Sequence, residues 1–219
     1  MVQKASHQEE DWVVCGEGDP YCMRRSDLHE LHYITPIQNV PSIMNHGILC
    51  HQKARQLNHT SVAMQEVQDI RSRKRVPGGL PLHAYVNLYF CGRNPMMRKR
   101  APQHLSLCVL RVNVGVLDLP NVVIADGNAA SDYTAFWLPL LGLERIDFDL
   151  VFAEWWTDSN QIQQWHKARV KCAEVLVPDR VDPRFIQGAY VSCQENQKLL
   201  EDSGFRLPVA VDPKLFFQI

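Results

Sequence analysis

The sequence predicts a single α+β domain, and three observations support this fold class. Short apolar segments with the alternation of β-strands are interspersed with polar stretches of helical character. The 219 residues suit one domain better than two, and 46% hydrophobic residues can supply a core. No stretch is rich enough in Pro, Gly or Ser to form a linker, and no internal repeat divides the chain.

The strands are predicted where apolar and polar residues alternate between turn-forming residues. Residues 1–27 show no such periodicity and are predicted to form a loosely held N-terminal arm, which leaves a domain at 28–219. The predicted strands cover residues 32–34, 85–91, 105–113, 122–125, 149–153, 170–177 and 188–193.

The helices are predicted between these strands. The first either starts at Pro36 and kinks at Pro41 or starts late, from Asn39, and it ends at Gly47. The others are predicted within residues 50–76, up to residue 168 from a cap at Thr157 or Ser159 with Ile162 and Trp165 facing inward, and at 194–203 before Gly204.

The charge, the hydropathy and the cysteines of the sequence indicate which partners and which compartment to expect. A formal net charge of −1 excludes a general polyanion binder, so any nucleic-acid contact must rely on local basic clusters. No apolar run approaches the roughly 20 residues that cross a bilayer, and the first residues lack the apolar core of a secretion signal. Seven scattered cysteines predict neither a disulfide framework nor a zinc site. We expect a cytoplasmic monomer without a metal or a membrane contact.

One carboxylate, Glu174, interrupts the apolar strand predicted at 170–177. Because side chains alternate across a strand, Val170, Cys172 and Leu176 are predicted to share its face. An acid in the middle of an apolar face either reaches solvent at a sheet margin or lines a cleft. Structural ion pairs are commoner than catalytic carboxylates, so Glu174 alone does not indicate a function.

Four further segments, together with the Glu174 strand, form an ordered set. They are HYIT, NVPSI and GIL within residues 32–49; Arg71 before Val76; YVNLYF and NPM within residues 85–96; and DGNAAS at 126–131, with AEVLV at 173–177 as the fifth. Over about residues 28–195 this set resembles the DarT family of DNA ADP-ribosyltransferase toxins, which use NAD. The YVNLYF and NPM segments look closer to the guanine-modifying branch of that family than to the thymine-modifying one.

The resemblance implies an ADP-ribosyltransferase fold, a split mixed sheet with helices on its flanks, and it implies a site. Glu174 would be the catalytic glutamate. Arg71 would be the arginine of the NAD-contacting helix, although Arg73 leaves that register open. NAD would be the co-substrate, and the residues that hold it would include His32, Tyr33, Ile34, Gly47, Leu49 and Arg71.

The chemistry suits these residue types. Breaking the bond between nicotinamide and ribose develops positive charge on the ribose, and a carboxylate that accepts a hydrogen bond from the ribose 2′-hydroxyl stabilises that charge. An arginine can clamp the pyrophosphate or the ribose with two parallel hydrogen bonds. Its pKa above roughly 12 makes it a poor proton acceptor, so we assign Arg71 to positioning and charge stabilisation.

The reaction also requires an acceptor base that can reach the ribose in the site. Single-stranded DNA is usually held by aromatic stacking and basic phosphate contacts. The candidate surfaces are Trp155, Trp156 and Trp165 with Arg169, within the loop that the resemblance assigns to DNA, and the basic triplet Arg98, Lys99 and Arg100. The tryptophans equally suit a core packed beneath a long loop.

The leading hypothesis is an enzyme that transfers ADP-ribose from NAD to a guanine or thymine base in single-stranded DNA. The resemblance further implies a toxin restrained by a macrodomain-type ADP-ribosyl glycohydrolase antitoxin. One alternative is a transferase of the same fold that acts on RNA or protein. Another is a catalytically silent nucleic-acid-binding module that keeps the pocket.

Overall fold

The structure is a computed structural model that describes residues 25–61 and 63–218. The predicted N-terminal arm therefore lies outside the described residues except for its last part, Arg25–Asp27, which forms a 3₁₀ turn. Arg25 donates a hydrogen bond to Asp118 with its Nη1 2.6 Å from Oδ1, which fastens this turn to the domain. That residues 1–24 form a loosely held arm stays a prediction.

The described residues form ten β-strands. They are β1 Leu31–Pro36, β2 Ile48–Leu49, β3 Tyr85–Tyr89, β4 Leu107–Val112, β5 Val123–Ala125, β6 Phe136–Trp137, β7 Glu174–Pro178, β8 Arg180–Val181, β9 Ile186–Val191 and β10 Val209–Val211. Eight of these form one sheet in the order β10-β9-β4-β1-β3-β7-β5-β6, and β2 pairs with β8 separately. The β9–β10 pair is parallel and the other pairs are antiparallel, so the sheet is mixed.

Helices flank this sheet within the described part of the chain. They are α1 Val40–His46, α2 His51–Ala54, α3 Gln65–Arg73, α4 Pro95–Arg100, α5 Pro139–Leu143, α6 Phe148–Phe152, α7 Gln161–Val170 and α8 Gln194–Asp202. The mixed sheet with flanking helices confirms the predicted α+β class. Among residues 25–61 and 63–218, no helix has the length and apolar character required to cross a membrane.

Apolar side chains are buried on both faces of the sheet. On one face, Val86, Leu88 and Phe90 belong to the largest apolar cluster, as their alternation predicts. On the other face, Ile34 and Tyr89 pack in a smaller cluster. Full burial of such a side chain contributes about 1.5–3 kcal/mol, so the central strands are rigidly held from both sides.

The first helix starts late, which decides between the two predicted alternatives. Residues Ile37–Asn39 form a 3₁₀ turn, and α1 begins after Asn39 with Pro41 in its first turn. A proline is tolerated there because the N–H groups of the first turn have no partner within the helix. Gly47 follows the helix with φ 84°, and its N–H bonds to the Ile43 carbonyl at 2.7 Å.

The single helical region predicted at 50–76 is wrong, because two helices are separated by a loop whose described residues, 55–61 and 63–64, are irregular. Most of this loop is exposed, so it has no apolar face with which to form a helix against the domain. Asn39 fastens it instead: its Nδ2 donates to the Thr60 carbonyl at 2.8 Å, and its Oδ1 accepts from the Thr60 N–H at 3.1 Å.

Two strand predictions near the carboxyl half need correction. Residues 148–152 form α6, because the Asp147 Oδ1 caps a helix by accepting from the Leu150 N–H at 2.9 Å. The strand predicted from Val170 begins only at Glu174, since α7 continues through Val170. The residue that follows α7, Lys171, is buried and its Nζ donates to the Val151 carbonyl at 2.6 Å, which fixes a turn there.

The orientation predicted for α7 is also wrong. Ile162 and Trp165 are 70% and 63% exposed, so neither faces inward. The cap is Asn160 rather than Thr157 or Ser159, because its Oδ1 accepts from the Ile162 N–H at 2.9 Å. The later elements follow the prediction more closely, with α8 ending shortly before Gly204 at φ 98°.

Candidate active site

Glu174 is the first residue of β7 and lies in the interior of the sheet. It is opposite Tyr89 of β3 on one side and Ala125 of β5 on the other. Its side chain is only 1% exposed, so it does not sit at a sheet margin. A carboxylate removed from water in this way is costly unless other groups bond to it.

Arg71 provides the main partner. It lies in the last turn of α3, and its Nη1 is 3.1 Å from Oε2 and 3.4 Å from Oε1 of Glu174. Its side chain is 7% exposed, whereas Arg73 and Arg75 are exposed. Of these three arginines, Arg71 is therefore the one that is buried against Glu174.

The loop at 126–131 supplies the second partner. The Ala129 N–H donates to Glu174 Oε1 at 3.2 Å. Arg169 holds this loop in place, because its Nη1 is 2.8 Å from Asp126 Oδ1 and its carbonyl accepts from the Asn128 N–H at 3.0 Å. A side chain on Gly127 would place a Cβ 2.6 Å from Arg169 Nη1, so only glycine fits this close approach.

This arrangement changes the interpretation of Arg169, which was a predicted DNA contact. Its side chain is 16% exposed, and its guanidinium is ion-paired with Asp126. Its observed contacts are therefore structural: they position the loop whose backbone N–H reaches Glu174. A direct contact to DNA is not what the arrangement favours.

A cavity of about 240 Å³ opens in front of the Arg71–Glu174 pair. Tyr33, Ile34 and Leu49, which were predicted to contact the co-substrate, line it together with the pair itself. Its wall also includes residues outside the predicted co-substrate contacts, among them Thr35, Asn39, His51, His83, Tyr85, Asn87, Tyr89, Met96 and Asn128. The residues described as lining it do not include His32 or Gly47.

His32 is held by protein groups at both ring nitrogens. Nδ1 accepts from the Gly92 N–H at 2.7 Å, and Nε2 lies 3.0 Å from Glu30 Oε1. Glu30 also accepts hydrogen bonds from Arg111 Nε at 2.6 Å and from the Tyr190 hydroxyl at 2.8 Å. Burial raises the pKa of Glu30, but the bonds from His32, Arg111 and Tyr190 outweigh it and lower that pKa to about 2.

Gly47 is required by packing rather than by the cavity. A Cβ on Gly47 would lie 2.4 Å from the Val181 carbonyl oxygen of β8, and its φ of 84° suits glycine. Gly47 thus allows the end of α1 to approach the β2–β8 pair. A role for Gly47 and His32 in shaping the wall from behind is consistent with these contacts.

The groups around Glu174 are kept protonated. Burial and the nearby Glu174 charge raise the pKa of the Tyr89 phenol well above its usual range. The same two causes raise the pKa of the Cys172 thiol to about 12. Neither side chain is therefore an anion at neutral pH. Within residues 25–61 and 63–218, no three His, Cys, Asp or Glu side chains come together as metal ligands.

The basic triplet of α4 divides between two surfaces. Lys99 and Arg100 line the cavity together with Met96. Arg98 points elsewhere, with its guanidinium carbon 5.3 Å from the centre of the Phe217 ring. One short helix thus borders both the cavity and a second group of side chains.

That second group is an aromatic–arginine cluster formed by Trp155, Trp156, Phe217, Arg93 and Arg98. The Phe217 ring centre lies 6.0 Å from that of Trp155 and 5.9 Å from that of Trp156. The Arg93 guanidinium carbon lies 4.0 Å over the Phe217 ring and 5.1 Å over the Trp155 ring. Trp155 is 51% exposed, so it is not part of a buried core.

Phe217 and Arg93 were missed from the sequence. Phe217 has φ 58°, a left-handed conformation that is unusual for a bulky residue and is found mostly where other contacts over-determine it. The strained phenylalanine is the structural signal, and a sequence does not carry it. Trp165 is exposed on α7 and makes none of the ring contacts described for the cluster.

Comparison with known proteins gives a consistent family. A family model described as "ssDNA thymidine ADP-ribosyltransferase, DarT" matches residues 32–217. A DNA ADP-ribosyl transferase–DNA ADP-ribosyl glycohydrolase fusion protein of Thermosipho africanus is 32% identical in an alignment 202 positions long, which covers 87% of this chain and 50% of that protein. A DNA ADP-ribosyl transferase of Thermus aquaticus is 29% identical, over 68% of each chain. This chain thus spans about half the length of the Thermosipho africanus protein.

Solved structures agree. Thermosipho africanus DarTG in complex with ADP-ribose has a TM-score of 0.77 at 32% identity, covering 87% of this chain and 51% of that one. Thermus sp. 2.9 DarT in complex with ADP-ribosylated ssDNA has a TM-score of 0.73 at 24% identity, covering 87% of this chain and 97% of that one. At 24% identity, the similarity to Thermus sp. 2.9 DarT shows that the two proteins share a fold.

Proposed function

Because the chain belongs to the DarT family, we propose that it transfers ADP-ribose from NAD⁺ to a base of single-stranded DNA and releases nicotinamide. The observation that carries this proposal is the buried Arg71–Glu174 pair, which faces a cavity and receives a backbone N–H from Ala129. In the transfer, the bond between ribose C1′ and nicotinamide breaks and its electron pair leaves with nicotinamide. The base then bonds to C1′ and loses a proton.

Glu174 is the residue that stabilises the charge developing on the ribose. Arg71 Nη1 and the Ala129 N–H hold its carboxylate in one orientation but leave acceptor capacity free, since a carboxylate has about four lone-pair sites. A ribose 2′-hydroxyl that donates to it gains most as the ribose becomes positive, which is the condition for catalysis. The rigid strand position of Glu174 supports this role.

Arg71 binds and positions the co-substrate. Its Nη2 is buried without a hydrogen-bond partner among the described residues, and the side chain borders the cavity. A buried unpaired N–H is costly, so a ligand that offers it an acceptor gains affinity. Tyr33, Ile34 and Leu49 form the wall around that ligand. We propose that His32 and Gly47 act behind this wall, by holding its strands together.

We propose that the acceptor strand reaches the cavity along α4. Lys99 and Arg100 border the cavity, and Arg98 belongs to the aromatic–arginine cluster. Exposed Trp155 offers a stacking surface for a base, and the arginines offer phosphate contacts. A duplex is a poor substrate, because flipping a base out costs a few kcal/mol and a chain of net charge −1 has little phosphate-binding energy to offset it.

The biological setting is proposed from the relatives. In Thermosipho africanus the transferase is fused to a DNA ADP-ribosyl glycohydrolase. We propose that this chain is the toxin of such a pair and that a glycohydrolase reverses its modification. The family model is described for thymidine, and the YVNLYF and NPM segments favour guanine, so both bases enter the test below.

The experiment presents one sequence as single-stranded DNA, duplex DNA and RNA to the protein with labelled NAD⁺, with a Glu174→Gln variant as the inactive control. We expect label on single-stranded DNA, much less on the duplex, and only a mild loss of activity with added salt. Oligonucleotides that lack thymine or guanine identify the base. Equal labelling of duplex and single strand would contradict the proposed acceptor, and label on RNA or protein alone would favour the alternative transferase.

A catalytically silent binding module is the remaining alternative. It predicts binding of single-stranded DNA with no release of nicotinamide from NAD⁺ by the wild-type protein. The relatives count against it, because the Thermosipho africanus and Thermus aquaticus proteins carry the name DNA ADP-ribosyl transferase. Nicotinamide release by the wild type, measured against Glu174→Gln, decides between the two.

A further inference from the structure

Two buried nitrogen atoms at the cavity have no hydrogen-bond partner among the described residues. They are Nη2 of Arg71 and Nε2 of His83. Both side chains line the cavity. Buried polar atoms are nearly always paired in folded proteins, so these two nitrogens have bonding capacity that a ligand in the cavity can use.

The ring of His83 lies beside the backbone of Gln68 in α3, a contact that acts to raise its pKa. The His51 ring lies against it, with ring centres 4.2 Å apart and planes at 35°. Burial and the Arg71 charge lower the pKa of His83, which keeps the ring neutral. A neutral imidazole donates from one ring nitrogen and accepts at the other, and with the proton on Nδ1 it is Nε2 that presents the lone pair.

The two unpaired nitrogens require opposite hydrogen-bonding groups in a ligand. Arg71 Nη2 carries hydrogens and requires an acceptor, whereas His83 Nε2 carries a lone pair and requires a donor. A hydroxyl group accepts one hydrogen bond and donates another, so it satisfies both. An ionised phosphate or carboxylate only accepts, and it would leave His83 unsatisfied.

We propose that Arg71 Nη2 and His83 Nε2 together form a subsite for a ribose hydroxyl, namely the 3′-hydroxyl of the nicotinamide-side ribose of NAD⁺. This inference rests on the proposed function, which gives the neighbouring 2′-hydroxyl to Glu174. The two terminal nitrogens of one guanidinium have a fixed separation, and Nη1 already contacts Glu174. The 2′- and 3′-hydroxyls of a ribose are also adjacent. Nη2 can therefore bond the 3′-hydroxyl while Glu174, which Nη1 holds, accepts from the 2′-hydroxyl. His83 is thus a positioning and specificity residue.

The test compares two variants with two substrates. His83→Phe keeps the stacking on His51 but removes the acceptor, and His83→Gln restores an acceptor oxygen. The substrates are NAD⁺ and NAD⁺ that lacks the 3′-hydroxyl of the nicotinamide ribose. With NAD⁺, we expect His83→Phe to raise KM about tenfold with kcat nearly unchanged, because the bond exists in both the ground state and the transition state. With the deoxy substrate the same variant should lose nothing further.

A KM for His83→Gln close to that of the wild type would support the hydrogen bond. The matched control is His166→Ala, which changes an exposed histidine on α7. An equal loss with both substrates, or no loss with either, would overturn the proposal. If His83→Phe does not fold by circular dichroism, the wild-type protein still decides the matter, since it should bind the deoxy substrate about tenfold more weakly than NAD⁺. Failure of the proposed function looks different: the wild type itself would release no nicotinamide.

Discussion

Arg71 and Glu174 lie 103 positions apart and meet inside the protein with Nη1 3.1 Å from Oε2. The pair joins the end of a helix to the start of a central strand, and both side chains are almost fully buried. Breaking a buried pair by removing one partner leaves an uncompensated charge, which typically costs about 3–5 kcal/mol. Variants at this pair must therefore separate chemistry from stability.

Glu174→Gln should abolish transfer while the protein stays folded. The amide oxygen still accepts from the Ala129 N–H, but the charge that stabilises the ribose is gone, and we expect a rate loss of about a hundredfold or more. Glu174→Ala should destabilise the protein further, because it removes the hydrogen-bond acceptor of Arg71 as well as the opposite charge. The measurements are nicotinamide release and the thermal unfolding midpoint. Retained activity in Glu174→Gln would remove the central assignment.

Arg71→Lys should raise KM for NAD⁺ and lower kcat/KM by about ten- to a hundredfold. Lysine keeps the charge but cannot direct two parallel N–H groups at Glu174 and the ligand. Arg73→Lys, two positions along and exposed, is the control and should behave like the wild type. A greater sensitivity of Arg73 would show that the wrong face of α3 has been assigned to the site.

Glu30 should make stability depend on pH. Its pKa in the folded protein is lowered to about 2 from an ordinary value of 4.5, so the folded state binds its proton less readily than the unfolded state does. The stabilisation is therefore fully present above about pH 4.5 and is lost as pH falls towards 2. Glu30→Gln should lower the unfolding midpoint at pH 7, and its difference from the wild type should shrink below pH 4.5.

The control for this pH series is Glu144→Gln at an exposed position, whose difference from the wild type should stay small throughout. A difference for Glu30→Gln that does not change with pH would mean that the variant removes packing rather than a charged network.

Phe217→Ala should weaken binding of single-stranded DNA by about five- to a hundredfold, with NAD⁺ affinity nearly unchanged. It removes the ring against which Arg93, Arg98 and both cluster tryptophans are arranged. Loss of one base-stacking contact costs about 1–3 kcal/mol. Fluorescence anisotropy with a labelled oligonucleotide measures the change, and Trp165→Ala, an exposed aromatic outside the cluster, is the control. Equal weakening by both variants would argue against a localised binding surface.

Gly47→Ala should destabilise the protein by several kcal/mol, since a Cβ would lie 2.4 Å from the Val181 carbonyl oxygen. Gly78→Ala is a matched control. Gly78 also has positive φ, at 68°, but a Cβ there meets nothing within 4 Å, so only the backbone strain of about 1 kcal/mol applies. Urea unfolding of the two variants measures the difference. Equal destabilisation would mean that the close approach to β8 is relieved by a small shift.

The sequence predicted the elements whose own residues determine them. Tyr85–Tyr89 alternates cleanly and is a strand, and the glycine after α1 has the positive φ expected of a helix end. The strand at Glu174 was predicted to start four residues too early, because Val170 and Lys171 are typical of a strand in this sequence. In the structure Val170 ends α7, and Lys171 donates a buried hydrogen bond to Val151. Tertiary contacts override local preference at such junctions.

The site residues were predicted through the family resemblance. The family match confirms that resemblance, and the roles of the individual residues stay predictions. Physical pattern alone isolates Glu174 but does not connect it to Arg71, since no local rule links a helix end to a strand so far along the chain. His83 was missed for the same reason: its meaning depends on Gln68, His51 and Arg71 meeting in space. The cluster around Phe217 likewise brings together side chains from three separate parts of the sequence.

The two faces of α4 have a thermodynamic consequence. Lys99 and Arg100 border the cavity while Arg98 reaches the Phe217 ring, and all three belong to one helix of six residues, Pro95–Arg100. If a ligand on one side moves this helix, it also moves the side chains that a ligand on the other side contacts. Linkage makes the effect reciprocal: whatever factor NAD⁺ occupancy applies to the affinity for the DNA strand, strand occupancy applies to the affinity for NAD⁺. If that factor exceeds one, the protein binds NAD⁺ more tightly when an acceptor strand is already in place.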